Sequence, residues 1–155
     1  MSKRKNKPQK REVQCPYCNA PAELVRSADI YPFAQKDYGR FWQCEGCDAY
    51  VGTHKNSRDH APYGMLANKE LRALRNEAHE MFDPIWQFRV NLGTDRAKAR
   101  QDAYAWLAEQ LQLEPHECHI GMFGVDKCIQ TIVICKPKAE ALAKPPARTA
   151  SFKLL

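Results

Sequence analysis

The chain has 155 residues, 44% hydrophobic and 27% charged, with a net charge of +6 and an isoelectric point near 9.0. That length suits one ordinary domain or two small ones. No apolar run approaches the roughly 20 residues of a membrane-spanning helix, and Met1-Ser2-Lys3-Arg4-Lys5 lacks the apolar stretch of a signal peptide. A membrane, secreted or wholly disordered protein is therefore not expected, and a cytoplasmic one is.

The charge is uneven along the chain. Lys3, Arg4, Lys5, Lys7, Lys10 and Arg11 have no acidic neighbour up to residue 11. Residues 136–155 hold five basic residues against Glu140. Between these ends, thirteen basic and seventeen acidic residues leave a net −4. Residues 1–12 are predicted to be a basic disordered tail, and 136–155 a second tail rich in Lys, Pro and Ala. Such arms either solubilise a protein or attract polyanions without sequence preference. Nucleic-acid contact is accordingly assigned to the six basic residues of the first arm.

From residue 13 the cysteines dominate. There are seven, an odd count that fits a disulfide framework poorly. Four form two C-x2-C pairs, Cys15/Cys18 and Cys44/Cys47, separated by 25 residues. Each pair suits a tight turn that aims two sulfurs at one point. Two such turns give a closed tetrahedral shell for one structural Zn²⁺. No βαβ pattern surrounds either pair, so a redox role is disfavoured.

Short strands are predicted at 22–27, 40–43 and 49–52, with a turn at Asp37-Tyr38-Gly39. This is the plan of a zinc ribbon over residues 13–64, whose small sheet depends on its metal. Eight of the fifteen aromatic residues lie between 15 and 63. Residues 15–60 carry five basic and six acidic side chains, so these rings are read as core filling and metal cover rather than as a stacking platform for bases. His54, Asn56 and His60 follow the order of a His-Asn-His nuclease, but in an interval far too short for its ββα unit.

Residues 65–135 are predicted to be helical. Asn68 caps a helix bearing Leu71, Leu74, Ala78, Met81, Phe82 and Ile85, which Pro84 should end or kink. Thr94 caps a second helix over roughly 95–112, with Ala97, Tyr104, Leu107, Ala108 and Leu111 inward and Trp106 beside them. A short helical turn begins at Glu114-Pro115. Val125, Cys128, Ile129, Ile132 and Val133 mark one face of a last helix, with a strand as the alternative. Cys118, Cys128 and Cys135 match no metal knuckle and are read as core. His79 is read as a surface or half-buried residue.

Several strings together carry a resemblance. They are Cys15-Pro16-Tyr17-Cys18; Trp42, Cys44 and Cys47 followed by Asp48-Ala49-Tyr50-Val51-Gly52 and His54; Gly64 with Leu66-Ala67; and Ala78-His79 with Phe82-Asp83-Pro84 and Trp86. Trp106-Leu107-Ala108 after Tyr104, and Glu117-Cys118-His119-Ile120-Gly121-Met122-Phe123, complete the series. Over about residues 13–135 the chain resembles a family of small zinc-finger-containing proteins encoded in bacteria and often in their phages. The resemblance implies a zinc-finger fold with Cys15, Cys18, Cys44 and Cys47 as ligands, and no particular activity. It also draws attention to His54, His79 and Asp83. The chain departs from the pattern at Gly124, where an acidic helix cap is expected.

The sequence thus predicts an α+β protein, with an N-terminal zinc ribbon packed with three to four C-terminal helices. The function it suggests is a non-enzymatic zinc protein that docks a protein or nucleoprotein partner, with nucleic acid reached through the tails. A metal-supported nuclease or hydrolase using His54, His79 and Asp83 is the alternative.

Overall fold

A computed structural model describes residues 10–143. Their contacts divide the chain into two units, at 73/74. In the first, β1 (Glu23–Arg26), β2 (Arg40–Cys44) and β3 (Ala49–Gly52) form an antiparallel sheet in the order β1-β2-β3. Leu24 faces Trp42, and Trp42 faces Val51. Alternation along β2 sends Trp42 and Cys44 to one face, where they join Cys15, Ala49, Val51 and Leu66 in a buried cluster. Phe41 points the other way, edge-on to Tyr31 and Tyr50. The outer edge of β3 does not stay bare. Residues 61–67 run beside it, and Tyr50 and Ala67 exchange both backbone hydrogen bonds.

β1 and β2 are joined by α1 (Ser27–Ile30), a single turn of helix, and then by an exposed loop over 31–39. The expected turn lies in that loop: Gly39 has φ +88° and donates its N–H to Asp37 Oδ1. Arg11 belongs to the folded unit, since its guanidinium pairs with Asp59 at 2.6 Å. The other basic residues assigned to the first arm, apart from Lys10, lie outside the described residues, as does the chain beyond 143.

α2 (Lys69–Asn91) begins as expected, with Asn68 Oδ1 accepting from the Leu71 N–H. It does not end at Pro84, which sits within 23 continuous helical residues. A proline there forfeits a hydrogen bond and costs about 3 kcal/mol. Phe82, Ile85 and Trp86, all buried around it, offset that cost by burial worth about 1.5–3 kcal/mol each. Trp86 Nε1 also donates to Asp83 Oδ1 at 3.0 Å.

The helix stops instead at Gly93. The Gly93 N–H bonds Val90 O, and the Thr94 N–H bonds Arg89 O, the paired contacts of a Schellman motif. Gly93 has φ +102°, which a side chain rarely adopts, so Gly93→Ala is expected to destabilise by about 1 kcal/mol or more in urea titration.

α3 (Arg96–Leu111) is capped by Asp95, not Thr94: Asp95 Oδ2 accepts from the Lys98 N–H at 3.1 Å. Its buried residues are Ala99, Ala103, Leu107, Ala108 and Leu111, while Ala97 is exposed and Tyr104 half-buried. Two 3-10 turns, Pro115–Glu117 and Ile120–Met122, lead to α4 (Val125–Ala143). α4 is helical throughout, Pro137 included, so residues 136–143 belong to the fold rather than to a tail. The buried face of α4 shares Cys128 with the expected one and otherwise differs from it. Cys128, Thr131, Cys135 and Ala139 are inside, and Val125, Ile129 and Val133 are exposed. Small side chains let α4 lie close against α3, and Lys138 covers the Trp106 ring at 4.4 Å.

Candidate metal centre

The two C-x2-C turns bring four sulfurs together. Cys15 and Cys18 precede β1, Cys44 ends β2, and Cys47 lies in the β2–β3 turn. The four Sγ atoms lie within 4.8 Å of one another, and Cys18 Sγ is 3.7 Å from Cys44 Sγ. A tetrahedron with Zn–S bonds of about 2.3 Å has edges of about 3.8 Å, so the spacing fits zinc. Among the described residues this is the single cluster of Cys, His, Asp and Glu side chains able to hold a metal ion.

Local chemistry explains each turn. In the first, the Cys15 N–H bonds Ala20 O, and the Asn19 N–H returns to Cys15 O. In the second, the Asp48 N–H bonds Glu45 O. The residue after each pair, Asn19 or Asp48, has positive φ, at 61° and 49°. Asn and Asp tolerate this left-handed conformation better than other residues with side chains. Their matched positions are a sequence signal for the knuckles that spacing alone does not use.

Electrostatics also call for a cation. Burial raises the Cys15 thiol, but the backbone N–H groups of Tyr17 and Cys18 outweigh it, with help from Cys44 and Cys18, and bring it down to about 7. Cys47 is pushed up to about 12, first by its contact with Cys18 and then by burial. Four sulfurs this close resist joint ionisation until a divalent ion neutralises them. The donor set and its spacing fit one structural zinc ion, closed on all four sides by protein.

Acid should reverse this binding. Protons compete with zinc for the four thiolates, and protonating any one of them opens the shell. Zinc bound at pH 8 is expected to be released as pH falls toward about 4–5, read with a chromogenic chelator. Retention at about pH 3 would contradict thiolate ligation.

Two residues outside the expected ligand set hold the shell in place. Arg72, on the first turn of α2, donates to Asp48 O at 2.6 Å and to Ala67 O at 2.8 Å, and lies 4.1 Å above the Tyr50 ring. Tyr17, inside the first knuckle, accepts the Asn68 N–H at 3.1 Å. A helix-cap residue four positions before an arginine gives no hint of a metal site, because the link forms only in three dimensions.

The other candidates are not members of this cluster. His54 packs its ring on Tyr63, 4.0 Å between centroids, and His60 offers its carbonyl to Trp42 Nε1. His79 and Asp83 face each other on α2 at 3.8 Å. Cys118, Cys128 and Cys135 are buried, and burial raises all three thiols, the first and last to about 11, as befits core residues rather than ligands. The aromatic reading needs correction. Phe41 and Trp42 are buried and Tyr50 half-buried, but Tyr17, Tyr31, Phe33, Tyr38 and Tyr63 are exposed.

Fold and site together define a structural zinc module of the ribbon type, followed by a helical unit. The model of a zinc-finger-containing domain matches residues 11–138, and the chain belongs to that family. No curated protein and no solved structure matches the chain. Among the described residues, no helix is long and apolar enough to cross a membrane.

Proposed function

We propose that this is a non-enzymatic adaptor, in which structural zinc shapes a surface for a protein or nucleoprotein partner. The closed four-cysteine shell carries the reading. A catalytic zinc keeps a coordination position open for water or substrate, whereas four thiolates fill a tetrahedral site. The basic arms add long-range attraction for an anionic partner. Seven free cysteines suit a reducing compartment, in line with the cytoplasm of a bacterium or of a phage-infected cell.

The nuclease or hydrolase alternative draws support from one contact, between His79 and Asp83. It is tested by His79→Ala in a screen against plasmid DNA and RNA, where loss of a measurable wild-type activity would favour it. The adaptor reading is tested by affinity capture from bacterial lysate with the zinc-loaded chain and with Cys44→Ala. A partner retained by the first and lost by the second is expected. Equal capture by both would contradict it.

A further inference from the structure

The exposed aromatics identify a surface that the charge count conceals. The 31–39 loop presents Phe33, 98% exposed, and Tyr38, 54% exposed, on the first unit. Their exposure is built in, because neither ring closes the core. Phe41 and Trp42 do that. Tyr31 anchors the base of the loop, with its ring edge-on to Phe41 at 5.8 Å and to Tyr38 at 5.6 Å. The Tyr38 N–H is fixed to Ser27 Oγ at 3.0 Å.

Cations lie beside the Tyr38 ring and along the loop that carries Phe33. A cavity of about 390 Å³ on one side of the loop is lined by Arg26, Tyr31, Lys36 and Arg40. A second, of about 540 Å³, is lined by Lys36, Tyr38, Arg40 and Lys55, with His54 and His60 on its wall. Lys36 Nζ sits 5.3 Å from the Tyr38 ring centre. Among the described residues, no carboxylate forms an ion pair with Lys36, Arg40 or Lys55. Asp37, which lines both cavities, is turned to the Gly39 N–H, and Asp29 is engaged by Arg26. Residues 15–60 are near neutral along the sequence, but folding gathers Lys36, Arg40 and Lys55 on one cavity beside Tyr38.

The first basic arm enters at the same unit. Arg11 is held by Asp59, which accepts the hydroxyl of Ser57, a residue of the second cavity. Lys3, Arg4, Lys5 and Lys7 precede that anchor in the chain.

The geometry points to a binding surface for single-stranded nucleic acid on the 31–40 loop, with bases stacked on Phe33 and Tyr38 and phosphates met by Lys36, Arg40 and Lys55. Unpaired bases offer flat faces that a duplex keeps stacked inside, and rings flanked by cations are the arrangement that captures them. The inference rests on the adaptor reading and names the partner class for it. DNA and RNA single strands share this chemistry.

The test is fluorescence anisotropy with the full zinc-loaded chain and labelled thymidylate and uridylate strands of about 20 nucleotides, beside a duplex of equal length. Both single strands are expected to bind more tightly than the duplex, and the better of the two names the natural source. Phe33→Ala and Tyr38→Ala should each weaken binding by about 5- to 100-fold with zinc content unchanged. Lys36→Ala should reduce the dependence on salt.

Three outcomes would overturn the proposal: wild-type binding by both ring variants, duplex binding as tight as single-strand binding, or equal competition by polyglutamate. If replacing Lys3, Arg4, Lys5 and Lys7 by alanine abolished binding while the ring variants kept it, the arm alone would be the site. No nucleic-acid binding, together with zinc-dependent capture of a protein, would remove this proposal and leave the adaptor reading standing. Zinc-independent capture would remove the adaptor reading instead.

Discussion

Cys44→Ala is expected to lose zinc and to unfold the first unit. Cys44 is buried at the end of β2, in contact with the core cluster and 3.7 Å from Cys18 Sγ. The sheet it serves has three strands of four or five residues and a small cluster beneath them. Structural zinc in comparable small modules contributes about 10–16 kcal/mol, whereas whole domains are stable by about 5–15 kcal/mol. Removing one of four thiolates therefore removes more stability than a sheet of this size supplies. Metal analysis should fall from one zinc per chain to none, and the near-ultraviolet signal of Trp42 should collapse. Cys118→Ala is the control. It deletes a buried thiol far from any ligand role and should retain one zinc per chain. If Cys44→Ala kept both zinc and the Trp42 signal, the metal would not be what holds this unit together.

The second large effect is expected at Phe82. Its side chain is fully buried in the middle of α2, with its ring 4.5 Å from that of Tyr104 on α3. Phe82→Ala should destabilise by about 3–5 kcal/mol, from lost burial and the cavity left behind. That is a large share of an ordinary domain's stability. Urea unfolding should show the midpoint falling sharply. Val133→Ala, on the exposed side of α4, should shift it by no more than about 0.5 kcal/mol. A cost of about 2 kcal/mol or more at Val133 would mean that the α4 face is assigned the wrong way round.

The metal site was readable because its information is local: two C-x2-C pairs, strands entering and leaving them, and enough chain between for a hairpin. β2 and β3 fall where alternation places them, and Asn68 caps α2 as its side chain requires. The errors arise where tertiary packing overrides local preference. Pro84 should have stopped α2, but the buried rings of Phe82 and Trp86 on either side hold the helix through it. Thr94 and Asp95 are both good caps, and the Schellman turn at Gly93 makes Thr94 part of the preceding stop.

On α4 the bulkiest residues looked like the core. Cys128 and Cys135 are buried as expected, but a close approach to α3 adds Thr131 and Ala139 to them and leaves Val125, Ile129 and Val133 in water. The same preference for bulk misjudged the aromatics of the ribbon. A sheet this small has room for Phe41 and Trp42 but not for Phe33 or Tyr38, so the loop carries them outward. Charge was misjudged in a similar way. Summing along residues 15–60 hides the fact that Lys36, Arg40 and Lys55 line one cavity.

The central claim is one closed tetrathiolate zinc site. Substituting Co²⁺ in the full chain tests it most directly, because the visible spectrum reports both geometry and ligand type. The account predicts saturation at one Co²⁺ per chain, with intense tetrahedral ligand-field bands, strong sulfur-to-cobalt charge transfer, and displacement by an equivalent of Zn²⁺. A weak octahedral spectrum, a mixed nitrogen and sulfur spectrum that changes with His54→Ala, or saturation at two ions per chain would contradict it.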